Sequence, residues 1–376
     1  METVLISGGG IAGAALALLL RRRGFAPVVV ERAPDVRAGG QAVDIRGVAL
    51  EVMDRVGLLA EARSMRTRIR GMSMLDADGT EVERTTEYAL SSGRLDSADI
   101  EILREDLVRL LHAQTHGEVE YVFGDSIVSL EEHEAGVRVG FAHGSARDVD
   151  IVVGADGQHS VVRRLAFGPA EDYTHYLGSY LSVFSADNFL DLDNWQVWLR
   201  DGDAGFGIMP VRDSRELRIA FGFESASPLD GDHRDTEWLR RVVVDRLSAL
   251  HWEPHRLAEA ALAAPDFYCD AMAQIRMDRW SHGRMVLLGD AGYCASPFSG
   301  QGTSLALVGA YVLADALAQA PGADHRAAFA RYESVMRPFV ELNQALATEN
   351  PGGPASEESM VRAKNAITLP GAAAVR

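Results

Sequence analysis

The 376-residue chain has only two cysteines, Cys269 and Cys294. A chain of this length buries a core without covalent staples, so a disulfide framework is not expected and both thiols are read as reduced. Neither C-x-x-C nor H-E-x-x-H occurs and the eleven histidines are scattered, so no metal site is expected. Lysine is nearly missing, with Lys364 the only one. Basic residues number 37 against 54 acidic ones, a formal net charge of −17, which disfavours nucleic acid and anionic membrane surfaces as partners. Long apolar runs are also lacking. The stretch 11–20 is too short to span a bilayer, and Met1-Glu2-Thr3 carries no basic start, so no leader is expected and a cytoplasmic location is. Against these absences, 47% hydrophobic and 24% charged residues describe an ordinary globular chain, long enough for two lobes.

What is present is concentrated first in residues 1–32. Val4 to Ile6 form a short apolar run, followed by Gly8, Gly10 and Gly13 in the spacing G-x-G-x-x-G. Residues 14–23 have helical periodicity, 28–30 are a second apolar run, and Glu31 stands 18 residues beyond Gly13 with Arg32 after it. Strand, glycine turn, helix, strand and acid are the context this motif requires. Gly8 permits the tight turn, Gly10 lets backbone approach a pyrophosphate, and Gly13 lets helix and strand pack closely. The amides of Ile11 and Ala12 lie at the helix N-terminus, where the dipole favours phosphate. Glu31 can accept hydrogen bonds from a ribose. A dinucleotide at the N-terminus is the reading.

Further along, 39–47 is glycine-rich and polar and places Arg46 at a loop-to-helix junction, before a helix over 48–55 ended by Gly57. Residues 69–82 read as a hairpin turned at Asp76-Ala77-Asp78-Gly79, which hints at a second sheet inserted into the first domain. The pattern predicts a helix over 100–112 with Arg104 near its beginning. Strands are expected over 121–128, 137–141 and 148–153, the last nearly all apolar as in a buried parallel strand. That strand ends in Gly154-Ala155-Asp156-Gly157, followed by Ser160 and Arg163-Arg164, at the sheet edge where ligands bind in open α/β folds.

From about Tyr173 the chain changes character. Four strand-like stretches, 180–186, 195–199, 205–211 and 217–224, follow without intervening helices, and a helix over 236–250 closes the block. They point to an antiparallel sheet in a second domain. Its aromatics (Tyr180, Phe184, Trp195, Trp198, Phe206, Phe221 and Phe223) either line a pocket for a flat substrate or fill core, and Phe206, Met209, Phe221 and Phe223 are the substrate candidates. The first pattern then returns: an apolar run over 284–288, Gly289-Asp290-Ala291-Gly292, Pro297, Gly300-Gln301-Gly302, and a long helix over 303–318. The amides of Gly300 to Thr303 could hold electron density on a ring carbonyl, as an oxyanion site does. Two separated glycine clusters plus an acid suit one long ligand gripped at both ends. Residues 331–343 remain helical, Asn350-Pro351-Gly352-Gly353-Pro354 breaks the chain, and a helical tail over 357–366 either packs on the first domain or mediates dimer contacts.

With these clusters in order the chain resembles the single-component, group A FAD-dependent monooxygenases of the p-hydroxybenzoate hydroxylase fold, and looks most like the tetracycline-modifying and polyketide-tailoring members. The resemblance runs from Val4 to about Asn343 on the motifs Gly8-x-Gly10-x-x-Gly13, Gly154-Ala155-Asp156-Gly157-x-x-Ser160, and Gly289-Asp290-Ala291 with Pro297 and Gly300-Gln301-Gly302. It implies an α/β fold: a Rossmann-like FAD-binding domain of the glutathione-reductase type over 1–68, 100–170 and 269–345, an inserted, mainly antiparallel substrate domain over 69–99 and 171–268, and a helical tail over 346–376. It implies non-covalent FAD, with Glu31 on the adenosine ribose, Arg104 facing the diphosphate, Asp290 on the ribityl chain, and Asp156 and Gly157 tied to FAD and NAD(P)H binding. Gly289, Gly300, Gln301, Gly302 and Thr303 would surround the ring, Pro297 would lie over it on the substrate side, and Arg46 would contact it and help nicotinamide reach it. The absence of a second G-x-G-x-x-G makes NAD(P)H a transient co-substrate beside O2. The chain is short for the thioredoxin-like domain of larger phenol hydroxylases.

The expected activity is hydroxylation of an aromatic or polyketide-like small molecule through a flavin C4a-hydroperoxide, in antibiotic biosynthesis or modification, by a monomer or homodimer. The flavin carries the hard chemistry, and no dedicated acid–base pair is apparent. A flavin oxidase or reductase on the same fold, and a non-catalytic flavin- or ligand-binding protein, are the alternatives.

Overall fold

The computed structural model describes residues 1–36, 39–232, 234–320, 324–350 and 353–371. Its first lobe is built on a six-stranded sheet in the spatial order Ser281–His282, Met285–Leu287, Ile151–Gly154, Thr3–Ser7, Ala26–Glu31, Glu120–Phe123. All neighbours pair in parallel except the Ser281–His282 edge. Central strands such as Thr3–Ser7 and Ile151–Gly154 are buried almost end to end, which is why they read as unbroken apolar runs. The helix Ile11–Arg22 packs on Gly302–Gln319, and both belong to the main core. Gly302–Gln319 has the length and composition to cross a membrane, yet it is 83% buried inside the protein. Each buried Leu or Val there contributes about 1.5–3 kcal/mol, so the helix is a core element.

The second lobe is a seven-stranded sheet ordered Tyr268–Ile275, Thr174–Asp187, Glu216–Glu224, Ala204–Val211, Trp195–Asp201, Gly71–Leu75, Glu81–Thr85. Pairing is antiparallel except between Trp195–Asp201 and Gly71–Leu75. The hairpin read over 69–82 thus joins the edge of the second sheet, as its early interruption of the first pattern suggested. Helices Thr236–Ser248 and Pro254–Ala263 cover one face.

Three local expectations change. Residues 100–112 are not one helix: Ile100–Leu103 is a strand antiparallel to Ala42–Ile45, and the helix is Arg104–Ala113. Strand and helix abut without a turn, so their apolar residues merge into one apparent period. The helix Pro254–Ala263 and the strand Tyr268–Ile275 were not anticipated. That strand pairs with Thr174–Asp187, so the division we propose between the lobes falls after Ile275 rather than at 269. The tail helix Glu357–Lys364 packs on His325–Glu349 in the first lobe. Asn343 Nδ2–H donates to the Ala363 carbonyl (3.1 Å) and Lys364 Nζ–H to Asp99 Oδ2 (2.6 Å). Pro351 and Gly352 of the expected chain break lie outside the described residues.

Candidate active site

Room around the three leading glycines separates their roles. A Cβ added at Gly8, whose φ is +104°, would lie 2.4 Å from the Ala155 carbonyl oxygen, and one at Gly13 would lie 1.9 Å from that of Gly8. Protein packing alone forbids a side chain at both. At Gly10 the nearest atom is Arg104 Nη2 at 3.7 Å. The space above Gly10 is therefore open, at the start of a helix whose Gly10 N-cap has no side chain to cap it. Glu31 is fixed beside this turn: the N–H of Gly9 donates to Oε2 (2.7 Å) and that of Ala33 to Oε1 (2.8 Å). Each carboxylate oxygen keeps a lone pair for a ribose hydroxyl. Arg32 is exposed next to it.

The same groove continues through the third motif. A Cβ at Gly289 would be 3.3 Å from the Ala12 Cβ, which puts the two glycine clusters against one another. Asp290 is exposed at the start of the helix Asp290–Tyr293, its Oδ1 is 3.9 Å from a Cβ added at Gly302, and desolvation by the surrounding protein raises its carboxyl above the usual range. Arg104 lies between Gly10 and Gly40, with Cδ 3.3 Å from a Cβ added at Gly40. Its helix is clamped from the other lobe, where Arg212 donates to Asp106 (2.7 and 2.9 Å) and Glu105 (2.6 Å). Arg212, Asp213 and Ser214 all have φ between +55° and +60°, a strained turn that aims this guanidinium.

At the far end, Gly300 (φ +62°) follows the short turn Pro297–Ser299. A Cβ at Gly300 would be 3.5 Å from Arg46 Nη1. Arg46 is held by its own N–H, which donates to Ser304 Oγ (3.0 Å), and by Nη2–H donating to Asp44 Oδ2 (2.7 Å) and the Ser91 carbonyl (3.2 Å). The next helix starts without a side-chain cap from Gln301, which is 0% exposed and whose Oε1 and Nε2 are both buried without a hydrogen-bond partner among the described residues. Two orphaned amide atoms cost about 1–3 kcal/mol each, so a polar ligand edge belongs beside them.

The groove thus presents, in order, an acid for a sugar, a helix N-terminus with an arginine for a diphosphate, an acid for a polyol, and an arginine with uncapped amides for a polar ring edge. FAD has those parts in that order, and the residues fit it. We propose that Arg46, Pro297, Gly300, Gln301, Gly302 and Thr303 bound a site for the ring edge.

Asp156 changes role. Its Oδ2 accepts from Ser7 Oγ (3.0 Å) and the N–H groups of Val161 (2.9 Å) and Val162 (3.3 Å), and its Oδ1 accepts from Ser160 Oγ. Four donors from the protein satisfy this carboxylate, so it staples the helix Val161–Ala166 to the first strand instead of reaching a ligand. Gly157 (φ +82°) turns the chain beside it with nothing within 4 Å of an added Cβ. Arg163, 1% exposed, joins this motif to the third by donating to the carbonyls of Gln158 (2.6 Å) and Ala291 (2.8 Å).

The substrate candidates are largely corrected as well. Phe206, Phe221 and Phe223 face the two covering helices and pack among Leu239, Val243 and Leu257. Phe206 stacks on Trp252 and Phe223 on Tyr180. They are core, because the unanticipated helix Pro254–Ala263 completes a layer on that face. Met209 points the other way and packs with Leu103, Val211 and Ala42. On its face lie Gly207 and Ala220, cross-strand neighbours, beside Trp198. A Cβ at Gly207 would meet the Trp198 ring at 2.7 Å. Trp198 Nε1–H donates to Gln196 Oε1 (2.9 Å), and Gln196 Nε2–H to Ser91 Oγ (2.6 Å). Ser91 therefore joins this sheet face to Arg46. Gln196, Ser91 and the half-exposed Phe298 were not picked out from the sequence; the last stands inside the third motif, next to Pro297.

Among the described residues no group of three or more His, Cys, Asp or Glu could hold a metal ion. Both cysteines are free and buried. Burial pushes the Cys269 thiol up to about 12 and raises Cys294 well above its usual value. Neither is expected to react with Ellman's reagent in the native protein at mildly alkaline pH, and both should titrate after unfolding. Rapid labelling of the native protein would overturn the placement of at least one thiol.

The sequence profile of a family described as "FAD binding domain" matches residues 1–346. The chain belongs to that family. Within the FAD-binding family it is 47% identical over 371 residues to an uncharacterized protein of Mycobacterium tuberculosis (strain ATCC 25618 / H37Rv), covering 98% of this chain and 99% of that one. It is 37% identical over 341 residues to a flavin-dependent monooxygenase of Legionella longbeachae, covering 91% and 86%. The crystal structure of tetracycline destructase Tet(51) superposes with a TM-score of 0.88 at 34% identity, covering 99% and 100% of the two chains. The protein is an FAD-dependent monooxygenase of the family, and its fold is that of the group expected from the motifs.

Proposed function

We propose that this monooxygenase hydroxylates an aromatic or polyketide-like small molecule, using NAD(P)H and O2, in the cytoplasm, as a monomer or homodimer. One NAD(P)H, one proton, one O2 and the substrate C–H give NAD(P)+, water and the hydroxylated product. The observation that carries the reading is Ser91. It is hydrogen-bonded both to Arg46 at the ring end of the groove and to Gln196 on the sheet face with Trp198, Gly207 and Ala220. A flat apolar molecule on that face would lie beside the ring. The likeness to tetracycline destructase Tet(51) supports the substrate class.

When bound, FAD supplies hydride acceptance and oxygen activation. The residues of the chain do the rest. The turn at Gly10 with Ile11, Ala12 and Arg104 would hold the diphosphate, Glu31 the ribose and Asp290 the ribityl hydroxyls. Arg46 and the amides of Gly300 to Thr303 would hold negative charge at the ring edge, and Pro297 with Phe298 would keep water from the substrate side.

The test is to supply the FAD-loaded protein with NADPH and O2 against a panel of phenolic polyketides. Hydroxylated product matching the NADPH consumed, with little peroxide, is expected for at least one compound. Stoichiometric peroxide and no product across the panel would favour the oxidase alternative. Phe298→Ala is expected to raise the KM for such a substrate about tenfold, about 1.4 kcal/mol, near the lower end of the 1.5–3 kcal/mol that burying a phenyl side chain provides. Reduction of flavin by NADPH alone should be unaffected. An unchanged KM would place Phe298 outside the substrate site.

A further inference from the structure

We propose that Asp44 and Glu101 share a single proton and act together as positioning residues for Arg46. The two residues stand directly opposite one another in the antiparallel pair Ala42–Ile45 and Ile100–Leu103. Like charges at directly opposed positions repel even on an exposed ribbon. Here both are buried, with Asp44 9% and Glu101 7% exposed, and the guanidinium between them and the ring end, Arg46, is 7% exposed.

A count of charge decides the protonation state. The neighbouring Asp99 is already neutralised, accepting from Lys364 Nζ–H (2.6 Å) and from the Gly47 N–H (3.1 Å). Among the described residues Arg46 is then the one buried cation facing two buried carboxyls, and it bonds Asp44. Ionising both acids would leave a net buried negative charge, and the effective penalty per unpaired ion is several kcal/mol before any compensation. One retained proton removes it. The polar atoms differ: Glu101 Oε2 accepts from Thr67 Oγ1–H and Glu101 takes a further hydrogen bond from the Ser91 side chain, both favouring its carboxylate, whereas Asp44 Oδ1 lacks a donor among the described residues. The arginines Arg66, Arg68, Arg70 and Arg94 are exposed and line, with Asp193, a cavity of about 470 Å³ that both acids also border. Arg70 and Arg94 already pair with Asp193 and Asp96 (2.7 and 2.8 Å), and Arg68 sits 3.6 Å from Asp213. No second buried cation reaches the pair.

Burial is the largest cause raising both carboxyls, and for Asp44 it outweighs the pull of Arg46, bringing that group to about 7. The sign follows. Glu101, whose Ser91 and Thr67 hydrogen bonds favour its carboxylate, ionises first, and its charge adds to the rise at Asp44, so the shared proton rests on Asp44 below about 7. Above that pH Asp44 is ionised and anchors Arg46; as pH falls through 7 it protonates and Arg46 loses its bonded counter-charge, so the pose at the ring edge loosens on the acid side.

The proposal rests on the flavin reading only for where Arg46 points. Infrared spectroscopy of the FAD-free protein tests the shared proton without it. Below neutrality a protonated-carboxyl C=O stretch is expected in the wild type, lost as pH rises through about 7, and in Glu101→Gln, which lacks the repelling charge, its midpoint is expected to move to lower pH. With FAD bound, flavin reduction by NADPH should fall on the acid side with a midpoint near 7 in the wild type. That limb should move to lower pH in Glu101→Gln and disappear in Asp44→Asn, which should be slower by about tenfold, the scale of one lost charge-assisted hydrogen bond. A missing carboxyl band, or one untouched by Glu101→Gln, would overturn the shared proton, and this arm survives even if Asp44→Asn fails to fold. An acid limb retained in Asp44→Asn would overturn the positioning role.

Discussion

Gly10→Val is expected to give a protein that folds with its unliganded thermal stability nearly intact and emerges from a desalting column without FAD. A side chain at this position would meet only the far end of Arg104, at 3.7 Å, so the protein itself accommodates it. A diphosphate approaching the helix start would not, because its contacts are backbone N–H groups at hydrogen-bond distance. Loss of that approach should weaken FAD binding at least about 100-fold, or about 2.7 kcal/mol, by fluorescence titration of the apoprotein. Gly13→Ala is the control with the opposite signature. Its methyl would sit 1.9 Å from the Gly8 carbonyl oxygen, so strand and helix must part, an overpacking cost of about 1–3 kcal/mol or more. That variant should lose apoprotein stability first and flavin second. If Gly10→Val retained stoichiometric FAD, the open space above Gly10 would not be where the diphosphate lies.

The sequence carried the site well where a backbone needed glycine. Gly8 and Gly13 are next to atoms that leave no space for a larger residue and Gly289 has a φ of +65°, and such positions leave a fixed mark whatever surrounds them. Single-residue roles resting on long-range geometry were less legible. Asp156 lies between glycines at a strand end, which suggests a ligand. Its partners include Ser7, 149 residues away, and that hydroxyl turns it into a staple. Phe206, Phe221 and Phe223 alternate correctly for one face of a sheet, but which face is covered depends on helix Pro254–Ala263, and local period cannot decide it. Ser91 has no sequence signal at all. Its importance comes from two partners, Arg46 and Gln196, brought to it from 45 and 105 residues away.

Arg163→Ala should show the pattern that Gly10→Val lacks: a destabilised apoprotein, with flavin loss as a consequence. The Arg163 guanidinium is 1% exposed and donates to the carbonyls of Gln158 and Ala291, one in each of two glycine motifs. It also balances the half-buried Asp156 electrostatically. Truncation leaves one buried and one part-buried carbonyl without those donors, at about 1–3 kcal/mol each, and removes the positive charge near Asp156. A total loss of about 3–5 kcal/mol follows, a large part of the 5–15 kcal/mol that holds a domain folded. Denaturant unfolding of the apoprotein measures it directly. Arg163→Lys keeps the charge but not the fixed fork that reaches both carbonyls, and should recover only part of the loss. Because the carbonyl of Ala291 follows Asp290, the same substitution frees the turn that carries the ribityl-facing carboxylate. Excess FAD should therefore raise the melting temperature of Arg163→Ala less than that of the wild type at equal ligand, since binding must first restore the turn. Equal apoprotein stability in variant and wild type would show that the two glycine motifs are held together by the sheet alone, and the bridging role of Arg163 would fail.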